Sequence, residues 1–145
     1  MLVPPSITTQ PSGQTVTAGN SASFSVVAAG TATLGYRWRK NGTFITGANS
    51  ATYTLPSTIT GDAGSYTVVV TNSAGSITSS VATLTVNSAP VAPTISTQPA
   101  NQIGTVGGSV TLSVIASGTG TLAYQWQHEG SDLPAGTNTS LTLTS

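Results

Sequence analysis

The chain has 145 residues, of which three are basic and three acidic, a formal net charge of zero, no cysteine, and 47 serines and threonines. Zero net charge supplies no long-range attraction toward nucleic acid, acidic lipid or acidic substrate, so these partners are disfavoured. Without a thiol the chain is indifferent to its redox compartment and has neither a disulfide nor a thiolate metal ligand to draw on. The apolar runs are short and alternating, no extended 3.6-residue period is visible, and no run is long enough for membrane insertion as a helix, which together describe a Thr/Ser-rich, Gly-punctuated β protein.

In chain order, Met1-Leu2-Val3-Pro4-Pro5 lacks the charged start and apolar run of a signal peptide and reads as the start of a fragment. Ser6 to Thr9 predicts a short strand with Ile7 inward, broken at Pro11, where an edge strand would switch sheets, and resumed from Gln14 to Thr17. Ala22 to Ala28 predicts one continuous strand with Ala22, Phe24 and Val26 toward the core. Beyond the loop from Gly30 to Gly35, Tyr36 and Trp38 alternate with Arg37 and Arg39, so the aromatics face in and the cations face out. Asn41-Gly42 turns the chain into a short strand at Phe44 and Ile45, and Thr52 to Leu55 predicts another with Tyr53 and Leu55 inward. After a corner at Asp62, residues Tyr66, Val68 and Val70 set an apolar face at period two. Asn72-Ser73-Ala74-Gly75 reads as a hairpin turn, because Asn and Gly both tolerate positive φ, and the return strand is expected from Ile77 to Val86 with Val81, Ala82, Leu84 and Val86 as its apolar positions.

Three of these stretches together carry a resemblance. Asp62-x-Gly64-x-Tyr66-x-Val68 resembles the Asp-x-Gly-x-Tyr-x-Cys signature that opens strand F in the immunoglobulin superfamily, with Val68 where the second cysteine stands. Gly19-x-Ser21-Ala22-Ser23-Phe24-Ser25-Val26 resembles strand B, with Val26 at the first cysteine position, and Tyr36-x-Trp38-x-Lys40-Asn41-Gly42 resembles strand C with its buried Trp. The resemblance implies an all-β, immunoglobulin-like Greek-key β-sandwich, in which the Tyr66 hydroxyl returns a hydrogen bond to backbone a few residues upstream. A native disulfide in a small secreted domain is worth about 2 to 5 kcal/mol, which packing of Val26, Trp38 and Val68 must here replace. The expected structural core is Val26, Trp38, Leu55, Tyr66 and Val68, with Trp126 as its counterpart in a second copy.

That second copy is legible directly. Ile7, Gly19, Val26, Tyr36, Trp38 and Leu55 recur 88 residues later, without a gap, as Ile95, Gly107, Val114, Tyr124, Trp126 and Leu143. The expected organisation is a complete domain over 5–87, a short Pro-containing linker over 88–92, and a second repeat over 93–145 in which the counterparts of strands F and G are missing. A fragment of a longer array is the reading preferred over a partner that supplies two strands. Half a core does not offset about 1 to 2 kcal/mol of backbone entropy per residue, so the second repeat alone is expected to be disordered, molten or self-associating.

Candidate chemistry is sparse. Arg37, Arg39 and Lys40 fall within four positions and read either as an anion or glycan-acid contact or as the outward polar side of a strand whose other side is aromatic; their counterparts Gln125, Gln127 and His128 carry no fixed charge, which favours the second reading. His128, Glu129 and Asp132 gather near a turn, but no second His and no Cys exists to complete a transition-metal site, and Asp62 is a lone acid. Asn41-Gly42-Thr43 and Asn138-Thr139-Ser140 match the N-glycosylation pattern and are read as turn chemistry. Tyr36, Trp38 and Tyr53 are read as core rather than as a sugar platform, from their inward phase. No catalytic residue, cofactor or metal is assigned. The resemblance is to disulfide-free repeats of large bacterial surface or secreted proteins, which implies an extracellular, non-catalytic spacer or adhesion module flanked by neighbouring repeats and directed at an unidentified protein or glycan ligand. An accessory module of a secreted carbohydrate-active enzyme and a phage virion decoration domain are the alternatives, and fold alone does not choose among them.

Overall fold

The computed structural model describes residues 1–144. It divides into two compact units, Met1–Ala89 and Pro90–Ser145. The boundary falls within the Pro-containing stretch 88–92.

In the first unit ten strands follow in order: β1 (Ser6–Thr9), β2 (Gln14–Thr17), β3 (Ala22–Ser25), β4 (Val27–Ala29), β5 (Gly35–Lys40), β6 (Thr43–Phe44), β7 (Thr52–Leu55), β8 (Gly64–Asn72), β9 (Gly75–Thr78) and β10 (Ala82–Asn87). Pro11 ends β1, which pairs antiparallel with β4, and the chain then crosses so that β2 runs parallel to β10. One layer is built from β1–β4 and β3–β7; the other has the order β2-β10-β8-β5-β6, with β9 also on β8. The central pair β5–β8 aligns Trp38 with Val68 and Tyr36 with Val70. The alternation of β8 places Tyr66, Val68 and Val70 inside at 1% exposure or less, because a pleated strand sends every second side chain to one face.

Between the layers Val26, Trp38, Tyr66 and Val68 are buried with Phe24, Ala22, Ala82 and Leu84, while Leu55 and Tyr53 pack against them half-buried. The same core holds a cluster of four aromatic rings. The Phe24 and Tyr66 rings stack at 4.7 Å, Phe24 lies 6.1 Å from Trp38, and Tyr53 lies 6.2 Å from Trp38 and 6.1 Å from Tyr66. Each such pair adds about 0.5 to 1.5 kcal/mol beyond the area it buries, so a ring cluster is a physically sufficient substitute for a bridge.

Three local expectations need correction. The strand expected over Ala22 to Ala28 is interrupted at Val26, whose amide donates to the Ala51 carbonyl at 3.0 Å while its side chain stays buried. The return strand expected from Ile77 to Val86 is broken at Ser79-Ser80-Val81. There the buried Ser79 hydroxyl accepts the Val68 amide at 3.0 Å, standing in for a backbone carbonyl, and the extra residue turns Val81 out to 60% exposure. The third concerns Asn72, which does not take positive φ although Gly75 of the same turn does (151°); the Asn72 carboxamide oxygen instead accepts the Ala74 amide at 2.9 Å, an Asx-type turn. At the other turn Asn and Gly both take positive φ, Asn41 at 49° and Gly42 at 83°.

The second unit contains β11 (Thr94–Thr97), β12 (Ser109–Ser113), β13 (Ile115–Ser117), β14 (Gln127–His128), β15 (Ser131–Asp132) and β16 (Ser140–Thr144). Its ladders repeat those of the first unit residue for residue. Ile7↔Ala28 returns as Ile95↔Ala116, and Ala22↔Leu55 returns as Val110↔Leu143. Trp38 Nε1 donates to the Ser50 carbonyl and Trp126 Nε1 to the Asn138 carbonyl, both at 2.9 Å. Residues 102–105 and 123–126, the counterparts of β2 and most of β5, lie in no ladder. Trp126, Tyr124, Val114 and Leu112 are half-buried, and among the described residues of this unit no apolar side chain is fully covered.

Candidate interaction surfaces

Two of the chain's three basic residues, Arg37 and Arg39, lie on the outward side of β5; Lys40, expected there as well, comes two positions after Trp38 and has the phase of the inward face at the strand's end. Arg37 and Arg39 leave the strand on the face opposite Trp38 and both lie over the Phe44 ring, with guanidinium carbons 3.8 Å and 4.2 Å from its centroid. Arg39 pairs with Phe44 across β5–β6, so the backbone register itself brings the ring beneath the guanidinium. Arg39 Nε is covered and makes no hydrogen bond, as expected of a plane lying flat on an aromatic face. Lys40 instead donates its ammonium to the Gly61 carbonyl and fastens the loop before β8. The outward direction of Arg37 and Arg39 is the one their alternation implied; the Phe44 stack and the Lys40 contact had no signal in the sequence.

The second unit holds the same hairpin by different chemistry. Gln127 Nε2 donates to Asp132 Oδ1 at 2.8 Å where Arg39 stacks on Phe44, and Gln125 Nε2 donates to the Leu133 carbonyl at 2.9 Å. A guanidinium–ring stack in one copy and an amide–carboxylate bond in the other both staple β-strand pairs, which accounts for these residues without a shared ligand. His128 ends β14, paired with Ser131, and Glu129 follows in the β14–β15 turn at φ 51°, matching Asn41. Among the described residues no group of three His, Cys, Asp or Glu side chains is arranged to hold a metal ion.

The corner at the start of β8 is tied by three hydrogen bonds that involve side chains. The Tyr66 hydroxyl donates to the Asp62 carbonyl at 2.8 Å, and the Asp62 carboxylate accepts the Ile59 amide at 2.8 Å. Asn41 Oδ1 accepts the Ser65 amide at 2.9 Å from the neighbouring turn. Burial first, then the neighbouring Tyr53 and the Asp62 carboxylate, push the Tyr66 phenol up to about 12. Tyr53 is raised as well, by burial and then by Asp62. At the other end of β8, Asn72 Nδ2 donates to the carbonyls of Val3 at 2.8 Å and Thr31 at 3.0 Å, clamping the N-terminal segment. Sequence reasoning found Asn72 as a turn residue and missed the clamp, since both acceptors are backbone atoms remote in the chain.

Two layers joined through a tyrosine corner and a β5–β8 centre, with an edge strand that switches between them, decide the architecture. The first unit is an immunoglobulin-like sandwich. Residues 4–72 match the family model described as immunoglobulin domain. The chain is 34% identical over 127 residues to Endoglucanase C of Cellulomonas fimi, covering 85% of this chain and 11% of that protein. It is 33% identical over 132 residues to Roundabout homolog 1 of Mus musculus, covering 88% of this chain and 8% of that protein. The chain thus spans about a tenth of the length of the curated relatives it matches. Among solved structures, a three-domain immunoglobulin fragment of titin aligns with a TM-score of 0.59 at 21% identity, covering 99% of this chain and 56% of that one, a likeness of fold alone.

Proposed function

We propose that this chain is a non-catalytic pair of immunoglobulin-like repeats within a larger extracellular or cell-surface bacterial protein, serving as a spacer or adhesion module. The observation that carries the reading is the 88-residue repeat, which recurs in register and hydrogen bonding while the outward side chains differ between copies. What the two copies share is architecture, and spacing is the role that architecture alone can perform. The likeness to a protein named as an endoglucanase, over most of this chain, favours a second reading in which the repeats stand beside a catalytic domain that acts on a polysaccharide. Retention of the purified chain on insoluble cellulose, xylan and chitin separates the two. A spacer passes through all three, whereas a substrate-targeting accessory module is held on at least one. Hydrolysis of any of them by the pure chain would overturn both.

A further inference from the structure

Asn41-Gly42, in the turn between β5 and β6, is the one place in the chain where asparagine precedes glycine, and both residues are exposed. Such a pair is chemically labile, because the backbone nitrogen of the second residue, unhindered by a β-carbon, can attack the carboxamide carbon of the first. Gly42 leaves that approach clear: no atom lies within 4 Å of where its β-carbon would stand. Among the described residues its amide makes no hydrogen bond. The fold holds the other reactant away. Asn41 Oδ1 accepts the Ser65 amide at 2.9 Å while the Asn41 amide donates to the Ser65 carbonyl at 2.8 Å, so side chain and main chain are both tied to β8. The carboxamide is seated on Gly64, where a β-carbon would stand 2.7 Å from Oδ1 and 3.2 Å from Cγ. Ring closure has to swing the carboxamide back over its own backbone, out of that seat and off the Ser65 amide, before the two reacting atoms are aligned. The second unit makes the same turn with an acid: Glu129 and Gly130 take φ of 51° and 81°.

We propose that Asn41 is a self-modification site gated by the fold: seated on Gly64 it keeps its amide, and when the corner between β5 and β8 opens it is converted to aspartate or isoaspartate. The Gly42 nitrogen bonds to Cγ and gives up its proton, the bond from Cγ to the side-chain nitrogen breaks, and ammonia leaves a five-membered imide. Water then opens the imide, at Cγ to give aspartate or at the main-chain carbonyl to give isoaspartate, and no other reactant is needed. Aspartate keeps the turn, as Glu129 does in the second unit, and its carboxylate accepts the Ser65 amide in a charge-assisted bond. Isoaspartate runs the main chain through Cγ, which adds an atom to a two-residue loop whose flanks, Lys40 and Thr43, are paired. Time spent open is thereby recorded covalently in the first unit. The inference goes beyond the spacer reading and does not depend on it.

The test incubates the 145-residue chain in mildly alkaline buffer, folded and in urea, and reads conversion at position 41 by peptide mapping and mass spectrometry. A peptide of residues 36–48 sets the unguarded rate in each buffer. Expected is conversion in urea at the peptide's rate, and conversion of the folded chain slower by about a hundredfold or more, in proportion to the open fraction. Gly64→Ala evicts the carboxamide from its seat and is expected to raise the rate of a chain that circular dichroism shows to be folded by about tenfold or more. For the case in which this variant does not fold, a urea series on the unaltered chain supplies the second test, since the rate should climb with the unfolded fraction. A folded chain that converts at the peptide's rate, a rate that stays flat through the urea transition, or a folded Gly64→Ala chain with an unchanged rate would overturn the gate. An unfolded chain that keeps Asn41 while the peptide loses its amide would overturn the site. Once urea is removed, chains carrying isoaspartate should unfold at lower urea than those carrying aspartate, and equal midpoints would overturn the discrimination by the turn.

Discussion

Trp38 and Trp126 are the chain's two tryptophans, at the same position of the repeat and with the same 2.9 Å indole hydrogen bond, yet with different surroundings. Trp38 is 0% exposed. Covering an aromatic side chain of about 150 to 250 Å² is worth about 4 to 6 kcal/mol at about 25 cal/mol per Å². Allowing for area already covered in the unfolded chain leaves about 3 to 5 kcal/mol, in the range measured for such truncations in cores. A domain of this size holds only about 4 to 12 kcal/mol in total, so Trp38→Ala is expected to leave the first unit at or near its unfolding threshold. Trp126→Ala, at a side chain that is only half-buried, is expected to leave the urea transition of the first unit where it is and to cost at most about 1 to 2 kcal/mol in its own unit. Urea denaturation followed by circular dichroism measures each loss, and fluorescence of the remaining tryptophan reports whether the other unit is untouched. A loss below about 1 kcal/mol for Trp38→Ala, or equal losses at both positions, would refute the assignment of Trp38 as the residue that pins the two layers.

Three further outcomes are expected. Tyr66→Phe keeps the ring stack on Phe24 and removes the bond to the Asp62 carbonyl, so it should cost about 1 to 2 kcal/mol in urea melts; no measurable cost would show the corner to be ornamental. The folded-state phenol of Tyr66 is raised from its ordinary value of 10.0 to about 12, and a raised acid favours the neutral form in the native state. Its stabilising contribution is therefore complete below about pH 10 and is lost as pH rises toward about 12, so melting temperature should be flat through neutrality and fall in that alkaline window, with a shallower fall in Tyr66→Phe. Replacing Arg37, Arg39 and Lys40 together by Gln removes two ring stacks and the Gly61 contact and should lower stability by about 1 kcal/mol while leaving retention on any polysaccharide unchanged; abolished retention with the fold intact would make this cluster a binding site.

The sequence by itself determined the strands, their inward faces and the repeat, because alternation is a property of the pleat and needs only neighbouring residues to be read. Tyr66, Val68 and Val70 on one side of β8, and the 88-residue recurrence of Trp38 at Trp126, belong to this class. Tertiary structure alone decided where alternation fails. Ser79 could replace a carbonyl for the Val68 amide only once β8 lay beside it, which broke the return strand and expelled Val81. Phe44 received two guanidiniums because the β5–β6 register put Arg39 opposite it, and Asn72 found the carbonyls of Val3 and Thr31 across 69 and 41 residues of chain. The same logic separates residues 123–126 from β5: Tyr124 and Trp126 keep the alternation of Tyr36 and Trp38, but a strand is a pairing between backbones, and local sequence supplies only one of the two.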